Sequence, residues 1–384
     1  MNPFEFRTVP SIVVEYGAAA RLGAILRERF AQKRLCLVTD GFLHKSGILT
    51  PALLSLHEAG WNVTVIDDVV ADPPEDVVLA AAGRAREAEV DIVLGLGGGS
   101  SMDVAKLIAA LAGSDQPLSS MYGVGNVTGP RLPLVQMPTT AGTGSEVTPI
   151  SIVTTGATTK AGVVSPNLYA DLTILDAELT VGLPPKVTAA TGIDAIVHAI
   201  EAYTSRHRKN PLSDMLAREA LRLLSLNLMP AFEKGSDRAA REGMLLGAML
   251  AGQAFANAPV AAVHALAYPI GGIFHVPHGL SNSLVLPHVL RFNAPMAATL
   301  YAELAEIAVP GCTGSAEAKT ALLIQHMELL AQRTGIETRL REVGITQADL
   351  PRLAADAMLQ TRLLVNNPRE MTEQDALAIY TAAY

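Results

Sequence analysis

The stretch VDIVLGLGGGSSMDVAK, residues 90–106, decides the fold of the N-terminal half. An apolar run ends in three glycines, and a helix is expected to begin near Ser100 or Ser101. Glycines let a ligand approach the backbone closely, and the free N–H groups of a helix N-terminus attract phosphate. We therefore predict a phosphate-binding loop, with a tight serine-capped turn as the alternative. Its residues are Gly97, Gly98, Gly99 and Ser100.

Strand-like and helix-like segments alternate on both sides of this loop. Strands are predicted at 11–16, 34–40, 61–67, 90–96, 132–138, 151–155 and 170–176, with helices between the earlier ones. Such alternation is typical of a parallel sheet covered by helices. The prolines of GLPPK, residues 182–186, mark a linker, and nearly everything beyond it is helix-like. We predict a Rossmann-like α/β domain over 1–182 and an all-α domain over 183–384.

Four side chains of the helical half form a candidate metal site. Asp194 and His198 are four residues apart, which places both on one face of a helix. His264 is expected at the end of an alanine-rich helix that stops near Pro269, and His278 at a loop or helix start. One carboxylate and three imidazoles suit iron(II), zinc or a similar ion. The alternative is three core histidines and a helix-capping aspartate.

Polar residues that follow two of the predicted strands are candidates for cofactor binding. Asp40 ends RLCLVTD, where a carboxylate can accept hydrogen bonds from a ribose and would repel a 2′-phosphate, favouring NAD over NADP. A helix N-cap is the alternative for Asp40. The stretch 139–146 is rich in hydroxyls, and its Thr139, Thr140 and Thr143 suit a nucleotide, although a solvated loop has the same composition.

Composition excludes several classes of protein. The 384 residues have a net charge of −8 and no basic stripe, which argues against nucleic acid as a partner. Two cysteines without a CxxC spacing are typical of a reduced cytosolic protein. No signal peptide is recognised, and Gln253, Asn257 and Pro259 interrupt the longest apolar run. We expect a soluble cytoplasmic protein with no membrane partner.

Several long motifs resemble the iron-containing alcohol dehydrogenase family. They are GGGSSMDVAK (97–106), PTTAGTGSEVT (138–148), SPNLYADLTILDAELT (165–180), GIDAIVHAIEAY (192–203), HALAYPIGGIFHVPHG (264–279) and NNPREMTEQDALAIY (366–380). The resemblance implies a dinucleotide-binding domain, a helical metal domain, an active site in the cleft between them and a homodimer. It also implies an enzyme that transfers hydride between NAD(H) and a small alcohol or carbonyl compound, with a bound metal as Lewis acid.

Carried over by position, the resemblance assigns roles to individual residues. Asp194, His198, His264 and His278 would bind Fe²⁺, or Zn²⁺ or another divalent ion. The loop 97–100 would hold the NAD pyrophosphate, Thr139 and Thr140 would border the adenosine, and Lys160 would approach a ribose. Phe255 would line the substrate pocket by its family position. Because Ile150 and Ile273 lie near motif residues in the sequence, we expect an apolar pocket.

Three positions depart from the family pattern. Tyr268 stands where many members have a second histidine that relays a proton, so its hydroxyl either replaces that group or packs. His275 occurs in some relatives and would pass a proton to solvent. Asp72 replaces the asparagine of a common Pro-Asn-Pro, and we assign it no cofactor role.

Three other functions share the expected fold. A lyase of the dehydroquinate synthase type needs several Lys and Arg beside the metal, but 192–203 and 264–279 contain none. A maleylacetate reductase works without metal, whereas all four ligand positions are present here. A catalytically silent NAD-binding relative would be expected to lack at least one ligand.

Overall fold

The computed structural model describes residues 3–156 and 159–384. The chain forms two compact units. The sheet unit comprises Arg7–Thr140 and Gly144–Gly182, and the helical unit comprises Leu183–Tyr384, Ala141–Thr143 and the residues up to Phe6.

The sheet unit contains nine strands and five α-helices within the described ranges. The strands are β1 Ile12–Val14, β2 Arg34–Val38, β3 Asn62–Ile66, β4 Ile92–Gly97, β5 Gly123–Val124, β6 Leu134–Pro138, β7 Ile150–Thr155, β8 Thr159–Val164 and β9 Leu172–Leu175. The helices are α1 Leu22–Arg27, α2 Gly41–Ser46, α3 Thr50–Glu58, α4 Glu75–Glu87 and α5 Gly99–Gly113.

Six strands form one sheet in the order β1-β9-β6-β4-β2-β3, and every neighbouring pair is parallel. The central strands β4 and β6 are buried along their whole length, as apolar strands covered on both faces are. The prediction of a parallel sheet is confirmed. A second sheet, β5-β8-β7, includes an antiparallel pair that the sequence did not predict.

The strand order places a switch point between β2 and β4. From β2 the chain continues to β3 on one side, and from β4 it continues to β6 on the other. In open parallel sheets, ligands bind beyond the carboxyl ends of the strands at such a point. Val38 pairs in register with Gly95, so β2 and β4 end at the same edge. Asp40 and the glycine loop follow these two strands directly.

The helical unit contains no β-strand among its described residues, which confirms the predicted all-α half. Its α-helices are α6 Pro185–Thr204, α7 Pro211–Glu233, α8 Arg238–Asn257, α9 Ala262–Phe274, α10 His278–Ala308, α11 Ala316–Thr334, α12 Leu350–Met358, α13 Thr361–Leu364 and α14 Glu373–Ala383. Within the described chain, no single helix is long and apolar enough to cross a membrane; α8 and α9 meet that test only as a pair bent by 106°.

The predicted position of His264 at the end of a helix is wrong. His264 is the third residue of α9. The helical structure is interrupted before it, around Pro259, between α8 and α9. The helix continues through Pro269 to Phe274. Proline removes one intrahelical hydrogen bond, and its ring clashes with a carbonyl of the preceding turn. The buried hydroxyl of Tyr380 donates to the Leu266 carbonyl at 2.6 Å, next to the Ala265 carbonyl, for which Pro269 lacks the helical N–H donor.

Candidate functional site

Helix α6 holds three buried ionisable side chains on one side. Asp194, His198 and Glu201 are between 2% and 4% exposed. Their spacing of four and three residues places them on successive turns of one helix face. The rest of this part of α6 is apolar and buried, so these polar groups need partners within the helical unit.

The starts of α9 and α10 bring two further histidines to α6. His264 lies in the first turn of α9, and His278 is the first residue of α10. The approach of α10 depends on Gly279, because a Cβ there would lie 2.3 Å from the Ala190 carbonyl oxygen. Glycine therefore permits the close contact of α10 with α6.

The four candidate ligands converge around one carboxylate oxygen. Asp194 Oδ1 lies 4.0 Å from His198 Nε2, 3.9 Å from His264 Nε2 and 3.8 Å from His278 Nε2. The Nε2 atoms of His198 and His264 are 3.0 Å apart. With metal bonds of about 2.1 Å, tetrahedral ligand atoms lie roughly 3.4 Å apart. The observed separations bracket that distance, and Asp194, His198 and His264 form a buried group that could hold a divalent ion, with His278 Nε2 beside the same carboxylate oxygen.

Glu201 fixes the orientation of one of these imidazoles. Its Oε2 accepts the Nδ1 hydrogen of His264 at 2.6 Å, and its Oε1 accepts the Val263 backbone N–H at 2.7 Å. The Nε2 lone pair of His264 therefore points towards Asp194. A carboxylate behind a ligand histidine in this way sets its tautomer and raises its basicity.

The electrostatics favour the protonation state that metal ligands require. Burial lowers the pKa of His198 to about 3, although Asp194 opposes this effect. Burial tends to raise the pKa of Asp194, but the three imidazoles and a hydrogen bond from Asn282 outweigh it and hold the pKa below its usual value. Neutral imidazole beside an ionised carboxylate is the state that binds metal.

Sequence reasoning missed two residues of this cluster, Glu201 and Asn282. Glu201 lies three residues after His198, and Asn282 lies four residues after His278, so helical spacing was the available signal. Phe255 was expected in a substrate pocket. Its ring stacks on His198 at a centroid distance of 4.4 Å.

The two residues considered for proton transfer occupy different environments. Tyr268 is partly buried, and its ring centroid lies 5.9 Å from that of His278. His275 is exposed and ends α9 in the left-handed conformation, with φ of 55°. Its backbone N–H donates to the Gly271 carbonyl at 3.0 Å.

The glycine loop lies at the end of β4. Gly97 is the last residue of β4, Gly98 is the N-cap and α5 begins at Gly99, slightly earlier than predicted. Gly98 supplies no side chain to the first turn, and the nearest atom to a Cβ placed there, on Thr140, is 3.9 Å away. The helix terminus therefore has room for a ligand.

Asp40 is the N-cap of α2, which was the alternative interpretation. Its Oδ1 accepts the backbone N–H groups of Phe42 and Leu43 at 3.0 and 2.9 Å. Within the described chain no hydrogen bond reaches Oδ2, so capping does not occupy the whole carboxylate.

The remaining candidates are distributed over both units. Lys160 donates to Asp72 Oδ1 at 2.6 Å, so Asp72, to which we assigned no cofactor role, contacts a candidate cofactor residue. Thr139 is buried and its N–H donates to the Gly97 carbonyl at 3.0 Å. Thr140 belongs to the sheet unit and Thr143 to the helical unit, and both are partly buried.

A buried lysine that the sequence did not single out organises the segment after Thr143. Lys106 on α5 donates to Ser145 Oγ at 2.7 Å, to the Ile150 carbonyl at 2.6 Å and to Thr148 Oγ1 at 3.2 Å. Asp103 Oδ1 lies 3.3 Å from the ammonium group. Burial lowers the pKa of Lys106, and Asp103 counteracts that effect.

Comparisons with known proteins agree with this architecture. The family model for iron-containing alcohol dehydrogenase matches residues 10–177. The family model for the C-terminal region of Fe-containing alcohol dehydrogenases matches residues 188–384. Long-chain-alcohol dehydrogenase 1 of Geobacillus thermodenitrificans is 41% identical over 364 residues, 93% of this chain and 91% of the relative.

Solved structures have the same fold over the whole chain. The crystal structure of a 1,3-propanediol oxidoreductase has a TM-score of 0.96 at 35% identity, covering 100% of both chains. The sulfoacetaldehyde reductase of Bifidobacterium kashiwanohense, in complex with NAD⁺, has a TM-score of 0.89 at 29% identity, covering 100% of this chain and 99% of that one. The chain is an oxidoreductase that belongs to the iron-containing alcohol dehydrogenase family.

Proposed function

We propose that the protein is a metal-dependent, NAD-linked alcohol dehydrogenase that interconverts small alcohols with their aldehydes or ketones. The observation that supports it most is the convergence of three imidazole nitrogens on the buried Asp194 Oδ1, at 3.8 to 4.0 Å, in the helical unit. A metal-free reductase has no need of such an arrangement.

Asp194, His198, His264 and His278 are the proposed ligands, with iron(II) as the expected ion. When bound, a divalent ion supplies Lewis acidity that polarises a hydroxyl or carbonyl oxygen. The protein favours neutral His198 and ionised Asp194, and Glu201 orients His264 by accepting its Nδ1 hydrogen. Phe255 covers one face of His198, which keeps that imidazole away from water.

NAD is proposed to bind at the carboxyl edge of the sheet unit, where β2 and β4 end. NAD supplies the hydride acceptor, and the chain supplies binding and orientation. Gly97, Gly98, Gly99 and Ser100 would face the pyrophosphate, and Asp40 Oδ2 would accept from a ribose hydroxyl. A family member at 29% identity has been solved with NAD⁺, which supports this choice of cofactor. Thr139, Thr140, Thr143 and Lys160 are proposed as further contacts.

The substrate is proposed to be an aliphatic primary alcohol or the matching aldehyde. The similar proteins described above are named for long-chain alcohols, 1,3-propanediol and sulfoacetaldehyde. We propose that two side chains pass a proton to solvent. They are Tyr268, whose ring lies 5.9 Å from that of His278, and the exposed His275.

The division of roles follows the two units. We propose that residues 1–182 bind NAD and that residues 183–384 form the metal-binding catalytic domain. A cytoplasmic location and a homodimer remain predictions. Cys36 and Cys312 are both free, which is compatible with a reducing compartment.

The test combines metal content with activity. Anaerobically purified protein is analysed by mass spectrometry for metal and assayed for NAD reduction with a series of primary alcohols. We expect about one ion per chain and activity that a chelator abolishes. His264→Ala should lose both, whereas His326→Ala, on α11, should keep both. Wild-type protein that retains no metal after incubation with iron(II) or zinc(II) would refute the proposal.

A further inference from the structure

Asn282 is a completely buried side chain on α10, one turn beyond His278. Its Nδ2 donates to Asp194 Oδ1 at 2.6 Å and lies 3.3 Å from Nε2 of both His264 and His278. One amide nitrogen therefore contacts three of the four proposed ligand atoms.

The environment of the amide fixes its orientation. An ionised carboxylate accepts hydrogen bonds and cannot donate them, so the amide nitrogen must face Asp194. The amide oxygen, Oδ1, is buried and has no hydrogen-bond partner among the described residues. An unpaired buried acceptor is unfavourable. A residue that served only for packing would avoid this cost, so the contact of the amide nitrogen with the proposed ligands must offset it.

A second buried asparagine on the same helix, Asn293, has a fully paired amide, unlike Asn282. Asn293 is also buried, but its amide is paired on both sides with Asn367: Asn293 Nδ2 donates at 2.9 Å, and Asn367 Nδ2 donates back to Asn293 Oδ1 at 2.7 Å. Asn293 joins two parts of the helical unit, whereas Asn282 directs its hydrogens at proposed metal ligands.

We infer that Asn282 is a positioning residue for the metal site. This inference rests on the proposed function. Its amide holds Asp194 Oδ1 at the point where the three imidazole nitrogens converge, so the ligand set is arranged before an ion arrives. A carboxylate without this hydrogen bond would be able to turn about its side-chain bonds, and ordering it would oppose metal binding.

The test measures cobalt(II) binding to the full-length protein after its metal has been removed. Asn282→Leu keeps the size of the side chain and removes the donor, and Asn293→Leu is the matched control. Loss of a group that orients a ligand typically weakens metal binding 10- to 100-fold. We expect a loss of about that size for Asn282→Leu, with altered visible absorption bands of the bound cobalt. Asn293→Leu should bind like the wild type and show the wild-type bands.

The possible results separate the inference from the proposed function. Wild-type affinity and bands in Asn282→Leu would overturn the inference and leave the proposed function intact. Failure of the wild type to bind cobalt(II) or zinc(II) would overturn both. If Asn282→Leu does not fold, as judged by circular dichroism, the smaller Asn282→Ala replaces it. Equal weakening in Asn293→Leu would also overturn the inference, since the effect would then be general loss of stability.

Discussion

We expect Glu146 to make the stability of the sheet unit depend on pH. The residue lies in a short 3₁₀ turn, Ser145–Val147, and is 3% exposed. Burial raises the pKa of its carboxyl to about 7, although the charge of Lys106 lowers it in part. A carboxyl whose pKa is higher in the folded than in the unfolded chain stabilises the fold when protonated. This contribution is complete below pH 4.5 and is lost as the pH rises through about 7.

The size of the effect follows from the two pKa values. The rise from 4.5 to about 7, at about 1.4 kcal/mol for each pH unit, corresponds to about 3 kcal/mol of unfolding free energy. Glu146→Gln keeps the shape of the side chain and cannot ionise. Relative to this variant, the wild type should therefore lose about 3 kcal/mol between pH 4.5 and pH 8.

The measurement is urea unfolding of metal-free protein at several pH values. Working without metal keeps ion binding from adding its own pH dependence. The control is Glu219→Gln on α7, where Arg222 lowers the pKa of an exposed carboxyl. Glu219 should favour stability only above its unfolded pKa, so this variant should follow the wild type from pH 6 to 8. Parallel curves for the wild type and Glu146→Gln over the whole range would refute the reasoning.

Four further predictions concern the candidate site. Glu201→Gln should weaken metal binding 10- to 100-fold in a chelator competition, because Nδ1 of His264 loses its carboxylate partner; unchanged affinity would contradict that role. His264→Ala should abolish metal binding and alcohol oxidation while NADH fluorescence still reports binding. Asp40→Ser keeps an N-cap for α2 and removes the carboxylate, so the ratio of NADP to NAD activity should rise; a constant ratio would exclude Asp40 from the cofactor site. Gly279→Ala should reduce metal content, because its Cβ would lie 2.3 Å from the Ala190 carbonyl; full occupancy would show that α10 can shift freely.

Local patterns predicted much of the fold and the candidate ligands. The alternation of strands and helices up to residue 182 was readable because strand and helix differ in the period of their apolar residues. The pairing of Asp194 with His198 was also readable, since it depends only on the pitch of one helix. The glycines at the end of β4 indicated a turn because their conformational freedom is intrinsic.

One prediction failed because it depended on a residue far away in the chain, and one interpretation stayed open until the folded structure decided it. A proline and two glycines indicated a helix end near Pro269, but α9 continues there, and Tyr380, more than a hundred residues later, supplies a hydrogen bond to the disturbed turn. Asp40 had two interpretations, and the tertiary structure shows one oxygen capping α2. The hydrogen bond from Tyr380 is not encoded in the residues around Pro269, whereas the cap is a local contact that the sequence had offered as an alternative.

The sequence by itself determined the fold class, the helical second half and the types of side chain available for metal and nucleotide. The tertiary structure decided the order β2-β4 that brings Asp40 and the glycine loop to one edge, because strand pairing joins segments distant in the chain. It also decided that Glu201 turns His264 and that Asn282 holds Asp194. These contacts link α6, α9 and α10. The sequence pattern of one helix does not show which side chains of another helix it will contact after packing.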